Sequence, residues 1–166
     1  DRNTSIAKNN HIYPFASIGG DPQDLKYDGE ETFLEIGENN QIREGVTISR
    51  GTAQESSVTK IGNNNLLMAY THIAHDCVLE NDIVMTNNAG VAGVVRVGNG
   101  ARLSGFTLVH QFCNVGDHSF IGGGCRIVQD VPPYILATGA SNMEDVQRAV
   151  KAGLSINKDL LIMQCN

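Results

Sequence analysis

The chain of 166 residues contains no Trp, and only 5% of its residues are aromatic, so its interior is not a large globular core. No run of about 18 apolar residues occurs, so the sequence predicts no membrane span. The formal net charge is −6 and no cluster of Lys and Arg appears, which argues against nucleic acid as a partner. The first ten residues lack the apolar core of a signal peptide, so the cytoplasm is the expected compartment.

The prominent feature of the sequence is a period of six residues between Ile61 and Val131. This period is neither the 3.6 of a helix nor the two of an alternating strand. It is typical of a hexapeptide solenoid, in which each repeat supplies one strand and one corner and three repeats make one coil of 18 residues. We call two sets of positions the aliphatic series and, four residues later, the small series. The aliphatic series is Ile61, Leu67, Ile73, Leu79, Met85, Val91, Val97, Leu103, Val109, Val115, Ile121 and Ile127; the small series is Thr71, Cys77, Ile83, Ala89, Val95, Ala101, Thr107, Cys113, Ser119, Cys125 and Val131.

Three of the four cysteines belong to the small series, namely Cys77, Cys113 and Cys125. A position that is otherwise occupied by small or β-branched residues (Ala, Ser, Thr, Val and Ile) favours a small, buried, apolar role for the thiol. The sequence therefore predicts neither a disulfide nor a metal site at these cysteines.

The period is interrupted twice by polar segments rich in turn residues. We call residues 19–35 the first excursion and residues 49–60 the second excursion. Loops that leave a regular scaffold commonly carry function. The sequence predicts an all-β solenoid domain over residues 1–139, which Pro132 and Pro133 would end because neither can donate a ladder hydrogen bond.

Residues 140–166 lose the period of six and are predicted as a short helical segment. Ser141 and Glu144 have the spacing of a capping box, and Gly153 is a candidate C-cap. A second short helix is predicted from Lys158 to Met163. These helices would cover the open end of the coils, which otherwise exposes unpaired strand edges.

None of the five histidines falls in either series, so all are predicted to lie outside the core: His11, His72, His75, His110 and His118. For His11 and His118, a solvated surface residue is an equally good interpretation. His75, Gly93 and Gln111 are 18 residues apart and are predicted to form a column up one side of the solenoid, with His110 beside its top.

This column predicts general-base chemistry. A neutral imidazole at His75 can take a proton from a hydroxyl that attacks a carbonyl, and Asp76 can orient the ring. Gly93 offers a backbone N–H to the developing oxyanion. Since no Ser or Cys stands beside a base as a nucleophile, direct transfer between two bound substrates is favoured over a covalent intermediate.

Six motifs, in order along residues 9–139, resemble the UDP-N-acetylglucosamine O-acyltransferase family: HIYPFASIG, QDLKY, IREGVTISRGT, NNLLMAYTHIAHDC, TLVHQFC and QDVPPY. The resemblance implies a left-handed parallel β-helix, although the general rule for parallel crossovers favours the right hand. It also implies a homotrimer with active sites between subunits. The implied reaction moves a 3-hydroxyacyl chain from acyl carrier protein to the 3-position of UDP-N-acetylglucosamine, which begins lipid A biosynthesis, without a metal or dissociable cofactor.

Carried over by position, the resemblance implies that His75 is the general base, that Asp76 supports it and that Gly93 is the oxyanion donor. Seven further positions are implied to contact substrate: Gln23, Asp24, Lys26, His72, His110, Gln111 and Gly123, the last in the acyl-chain groove. The chain departs from the family pattern at Val94, where a His is usual, and at Ser49, where a His often stands. It also lacks the family's long helical C-terminal region.

Two alternatives remain open from the sequence. One is a truncated or non-catalytic solenoid, which Val94 and the short tail favour. The other is a trimeric zinc hydratase of the γ-carbonic anhydrase type, which uses three His across an interface. The QDLKY motif argues against the hydratase.

Overall fold

The hexapeptide repeats form short strands separated by turns in a computed structural model, which describes residues 3–139 and 162–165. Over these two ranges the structure contains strands and turns but no helix. A search of the described residues accordingly finds no helix that could cross a membrane. In chain order, the strands are β1 (Thr4–Ile6), β2 (His11–Ile12), β3 (Ser17–Gly20), β4 (Phe33–Ile36), β5 (Gln41–Ile42), β6 (Thr47–Ser49), β7 (Val58–Ile61), β8 (Leu66–Leu67), β9 (His72–Ile73), β10 (Val78–Leu79), β11 (Val84–Met85), β12 (Gly90–Val91), β13 (Arg96–Val97), β14 (Arg102–Leu103), β15 (Leu108–Val109), β16 (Asn114–Val115), β17 (Phe120–Ile121), β18 (Arg126–Ile127), β19 (Leu136–Gly139) and β20 (Ile162–Cys165).

From β1 to β18, every third strand joins the same sheet, so the chain winds around three parallel sheets. Sheet A contains β1, β4, β7, β10, β13 and β16; sheet B contains β2, β5, β8, β11, β14, β17, β19 and β20; sheet C contains β3, β6, β9, β12, β15 and β18. Val78 pairs with Lys60 below it and with Arg96 above it, which is the predicted spacing of 18 residues. The corners between sheets A and B, B and C, and C and A are named the A–B, B–C and C–A corners.

The core is a narrow stack of inward side chains. All twelve members of the aliphatic series are at most 3% exposed, and all eleven members of the small series are at most 5% exposed. The prediction that every sixth residue points inward is therefore confirmed. Cys77, Cys113 and Cys125 are buried and free, and burial raises the pKa of the Cys77 thiol to about 12. Cys77 is thus a neutral core residue.

Each corner places one residue in the left-handed region of backbone conformation. Between residues 64 and 124 this occurs at every sixth position, with φ between 54° and 71°. Val94 is the one β-branched residue with positive φ in the described ranges, and a β-branched side chain is poorly tolerated there. The corner positions are Asn64, Tyr70, Asp76, Asp82, Asn88, Val94, Gly100, Phe106, Phe112, His118 and Gly124.

Polar ladders join successive coils at the A–B corner. Asn81 Oδ1 accepts hydrogen bonds from the backbone N–H and Nδ2 of Asn63, at 2.8 and 3.0 Å. Asn99 receives the same pair of bonds from Asn81, and Asp117 Oδ1 accepts the Asn99 N–H. These bonds satisfy corner N–H groups that the short strands leave unpaired. They also hold each coil in register with the next.

Two loops interrupt this register inside the expected excursions. Residues 21–32 connect β3 to β4, and residues 50–57 connect β6 to β7. Both loops therefore leave the solenoid at the C–A corner. As a result, Thr4 pairs with Leu34, and Phe33 pairs with Val58, instead of with residues 18 positions away.

The end of the solenoid differs from the prediction. Pro132 and Pro133 do not end the sheets, because they occupy an exposed corner after Val131, which bridges to Val115. The chain then returns to sheet B as β19, which pairs with both β17 and β20.

The predicted C-terminal helices fall largely on residues 140–161, which lie outside the described residues. The part of the second helix that can be compared, at Ile162 and Met163, is wrong, because both residues belong to β20. The parallel partner β19 offers backbone hydrogen bonds that a local helical pattern does not reveal.

Truncating one inward side chain should destabilise the whole stack. Leu103 is 0% exposed and lies in register between Met85 and Ile121. Leu103→Ala should lower the free energy of unfolding by about 2–5 kcal/mol, since it removes buried surface and leaves a cavity. Denaturant titration followed by circular dichroism measures this change.

The matched control is Arg102→Ala, which alters the adjacent outward side chain of β14. Arg102 is exposed, so its truncation should change stability by less than about 0.5 kcal/mol. Equal losses in the two variants would contradict the assignment of Leu103 to the core.

Candidate active site

The predicted column lies at the C–A corner. The Val94 N–H donates to the His75 carbonyl at 3.0 Å, and the Phe112 N–H donates to the Gly93 carbonyl at 3.1 Å. The segments that carry His75, Gly93 and Gln111 are thus stacked directly, one coil above another. Both excursions leave the solenoid at this same corner, so the column and the loops share one edge of the molecule.

His75 and Asp76 form a hydrogen-bonded pair although they are adjacent in sequence. His75 Nδ1 lies 2.9 Å from Asp76 Oδ2, and their side chains are 18% and 0% exposed. Side chains of neighbouring strand residues diverge, but Asp76 has φ of 59° at the corner, which lets the carboxylate turn toward the ring. When neutral, the imidazole so placed donates its Nδ1 proton to Asp76 and keeps the Nε2 lone pair free.

The second excursion surrounds the Asp76 carboxylate with donors. Thr52 donates to Oδ2 from both its backbone N–H, at 2.9 Å, and its hydroxyl, at 2.7 Å. The Ser56 hydroxyl lies 2.9 Å from Oδ1. The sequence indicated that this excursion carries function but did not identify Thr52 or Ser56. Its density of hydroxyl residues, in the segment RGTAQESS, was the available signal.

The first excursion lies against the opposite side of the imidazole. Asp24 Oδ2 is 3.9 Å from His75 Nε2, and Asp24 Oδ1 accepts the backbone N–H of Lys26 at 2.9 Å. The side chains of Gln23 and Lys26 are exposed on the same loop. Of the three predicted loop residues, the structure thus brings Asp24 to His75 and leaves Gln23 and Lys26 open to solvent.

Arg50 holds the first excursion in this position. Its guanidinium is buried and donates to the Gly19 carbonyl, to the Asp21 carboxylate and to the Tyr27 hydroxyl. These bonds connect Arg50, at the start of the second excursion, to residues of the first excursion on both sides of Gln23 and Asp24. The sequence did not single out Arg50, because nothing local indicates that an arginine after a strand reaches back to an earlier loop.

Gly93 packs against the imidazole. A Cβ at this residue would lie 2.5 Å from His75 Cε1 and 2.6 Å from Nε2, closer than real Cβ contacts. Glycine is therefore required here for close approach. In the described part of the chain, no acceptor takes the Gly93 N–H, so it can donate to a bound molecule.

His72 is half-buried, as His75 is, whereas His110 is exposed. His72 Nδ1 lies 2.7 Å from Thr47 Oγ1, and its pKa is lowered by burial and then by the proximity of His75. His72 is accordingly neutral at pH 7. His110 is exposed, with Nδ1 3.2 Å from the Gln111 carbonyl, and the Gln111 side chain is exposed above the column.

Gly123 does not join the others. It lies between β17 and β18, exposed at the B–C corner, across sheet C from His75. The two residues at which the chain departs from the family pattern do lie at the C–A corner. Ser49 is 5% exposed at the end of β6, and Val94 is half-buried immediately after Gly93.

Comparison with known proteins gives one consistent result. No family model matches the chain. The acyl-[acyl-carrier-protein]–UDP-N-acetylglucosamine O-acyltransferase of Stutzerimonas stutzeri is 55% identical over 136 residues, which are 82% of this chain and 53% of the relative. The chain spans about half the length of the curated relatives that it matches.

Solved structures agree with these relatives. The UDP-N-acetylglucosamine O-acyltransferase of Moraxella catarrhalis is 48% identical, with a TM-score of 0.82 over 96% of this chain and 68% of that one. The enzyme of Acinetobacter baumannii has the same identity and TM-score over 88% of this chain and 59% of its own. The solenoid is accordingly a left-handed parallel β-helix. These findings support neither the zinc hydratase nor the non-catalytic solenoid. The chain belongs to the UDP-N-acetylglucosamine O-acyltransferase family.

Proposed function

We propose that the chain catalyses transfer of a 3-hydroxyacyl group from acyl carrier protein to the 3-hydroxyl of UDP-N-acetylglucosamine, the first step of lipid A biosynthesis. The names of the relatives supply the donor, the acceptor and the class of reaction. The observation that carries the proposal in this chain is the environment of His75. Its Nδ1 is bonded to Asp76, and its Nε2 faces the space between Asp24 and Gly93.

In this mechanism, His75 Nε2 removes the proton of the sugar hydroxyl as the oxygen attacks the thioester carbonyl. Asp76 accepts the hydrogen bond from Nδ1–H, stays ionised and stabilises the imidazolium that forms. The Gly93 N–H donates to the developing oxyanion. Collapse of the tetrahedral intermediate breaks the C–S bond, and the leaving thiolate takes the proton from the imidazolium. Atoms and charge balance without a cofactor or metal.

Direct transfer is favoured over an acyl-enzyme. In the described residues, the hydroxyls that bond to the pair belong to Thr52 and Ser56, which contact the Asp76 carboxylate, and to Thr59, which accepts the Asp76 backbone N–H. The nearby thiol of Cys77 is buried and its pKa is raised to about 12. None of these groups is an activated nucleophile.

The remaining predicted residues are proposed to bind the substrates. Gln23, Asp24 and Lys26 on the first excursion would contact the sugar and the donor, and His72, His110 and Gln111 would line the groove on sheet C and its corner. The free, buried cysteines agree with a reducing compartment, so we keep the cytoplasm as the proposed location.

A homotrimer is proposed because one chain does not assemble the complete site. His75 lies at the C–A corner and Gly123 at the B–C corner, on opposite sides of sheet C, so we propose that a second copy brings the acyl groove at its Gly123 to the His75 of the first. A ring of three copies repeats this heterologous contact and closes it.

Replacing the base should abolish turnover without unfolding the chain. His75→Ala should lower kcat/KM by about 10²–10⁴-fold in an acyl carrier protein thioester assay, because proton removal is lost. His118→Ala, which alters an exposed histidine at the A–B corner, is the matched control and should keep full activity. Equal activity of both variants would contradict the role of His75, and turnover abolished by a chelator would favour a metal enzyme.

Adding one methyl group at Gly93 should displace the imidazole. Gly93→Ala should reduce kcat by at least about 10²-fold, because the Cβ collides with the His75 ring and misplaces Nε2. Gly20→Ala is the control, since a Cβ there meets nothing closer than Ser17 Oγ at 3.8 Å. Wild-type kcat for Gly93→Ala, measured at saturating substrate, would exclude the proposed contact.

Mixed oligomers test whether two copies share a site. His75→Ala and Gly123→Leu subunits should each be inactive alone, whereas unfolding and refolding them together should restore part of the wild-type activity. Some of the mixed sites then combine an intact His75 with an intact Gly123. Light scattering should give the mass of three chains. A monomeric mass, or no recovery in the mixture, would contradict the shared site.

A further inference from the structure

Among the described residues, the second excursion is hydrogen-bonded to the carboxylate of Asp76 and supplies most of the donors around it. We propose that Thr52 and Ser56 are positioning residues of the His75–Asp76 pair, which fix the orientation of the carboxylate and set how strongly it attracts the Nδ1 proton of His75. This inference rests on the proposed function, and it is tested below by a measurement that does not need turnover.

The hydrogen bonds at Asp76 are divided unevenly. Oδ2 receives the Thr52 N–H, the Thr52 hydroxyl and His75 Nδ1, at 2.9, 2.7 and 2.9 Å. Oδ1 faces the Ser56 hydroxyl at 2.9 Å, and that hydroxyl also lies 2.9 Å from the Val58 carbonyl. Since the Asp76 side chain is 0% exposed, the excursion provides the polar contacts that water would give an exposed carboxylate.

Gly51 makes this approach possible. A Cβ at residue 51 would lie 2.8 Å from Asp76 Oδ1 and 2.2 Å from the Val58 nitrogen, so only glycine lets the loop backbone pass the carboxylate. Each residue of the sequence Arg50-Gly51-Thr52 therefore has its own structural role. Arg50 holds the first excursion, Gly51 gives access, and Thr52 binds the carboxylate.

Asp76 is held by two independent parts of the chain. The Thr59 hydroxyl, on strand β7, accepts the Asp76 backbone N–H at 2.8 Å. Strand β7 thus fixes the backbone of Asp76, whereas the loop of residues 50–57 fixes its carboxylate. This division allows the effect of the carboxylate contacts to be measured separately from the stability of the corner.

The donors on Oδ2 share its negative charge. Removing the Thr52 hydroxyl leaves more of that charge for the imidazole, which favours the protonated ring, and it also loosens the carboxylate. Three other titratable groups in the described residues face the pair: Asp24, 3.9 Å from Nε2; His72, which interacts electrostatically with His75; and the buried thiol of Cys77. A substitution at Thr52 leaves all three unchanged.

The decisive variant is Thr52→Val, which removes the hydroxyl and keeps the shape and the backbone N–H. We expect kcat to fall about tenfold with KM nearly unchanged, because Thr52 is 0% exposed and is therefore shielded from bound substrate. The acid limb of the kcat/KM profile should move to higher pH, because the carboxylate then interacts more strongly with the protonated ring. Ser56→Ala should change both quantities in the same direction, but less, because Ser56 binds Oδ1 and not Oδ2.

Two controls have the same substitution at other buried threonines. Thr59→Val should lower the melting temperature without moving the acid limb, because it affects the Asp76 backbone alone. Thr107→Val should change neither activity nor the profile, since its hydroxyl bonds the Gly122 carbonyl at the B–C corner. If Thr52→Val lowers kcat without moving the acid limb, or if Thr59→Val moves it equally, the positioning role is wrong.

The measurement independent of turnover is the Nδ1 proton resonance of His75, observed by NMR in the substrate-free protein. Thr52→Val should shift this resonance, whereas Thr107→Val should not. A shift in a protein that transfers no acyl group would support the positioning role and reject the proposed function. An unchanged resonance in Thr52→Val would reject the positioning role even if acyl transfer is confirmed.

Discussion

The burial of one aliphatic side chain in every six residues is the constraint on which the rest of the molecule depends. Each inward residue, such as Leu103, packs between its equivalents one coil below and one coil above, so a coil is stable only in register with its neighbours. When successive coils are in register, residues that are 18 positions apart in the sequence lie directly above one another. The stack of His75, Gly93 and Gln111 is a consequence of that packing, because the core fixes the height of each coil.

Regular coils alone do not make a site, because every corner of a solenoid is nearly the same. The corner that carries His75 differs from the others because both excursions leave the solenoid at that edge. One loop brings Asp24 near Nε2, and the other brings Thr52 to the Asp76 carboxylate. Arg50 on the second loop donates hydrogen bonds to the first loop, so the two loops are fixed relative to each other beside His75. The rigid stack provides the position, and the loops provide the charge and the hydrogen bonds.

Backbone conformation is also part of the chemistry at this edge. The left-handed corner residue Asp76 is what allows adjacent side chains to converge, and one coil above it the same corner position holds Val94. A valine with positive φ carries strain of about 1–3 kcal/mol, which the surrounding stack must offset. The solenoid imposes this conformation at residue 94 whatever the side chain, so the strain comes from having a β-branched residue at this corner.

Much of the fold followed from the sequence alone, because whether a solenoid residue points inward depends on its own position in a period of six. The two series, the buried cysteines and the column of His75 under Gly93 were predictable for this reason. The roles of Arg50, Thr52 and Ser56 were not, because contacts between two irregular loops have no period and depend on where the coils place their ends. Likewise, the helical pattern at Ile162 and Met163 gave the wrong structure, since pairing with β19 supplies hydrogen bonds that no local pattern contains. Tertiary structure alone decided which hydroxyls surround the Asp76 carboxylate, because the position of their loop depends on the coils that it connects.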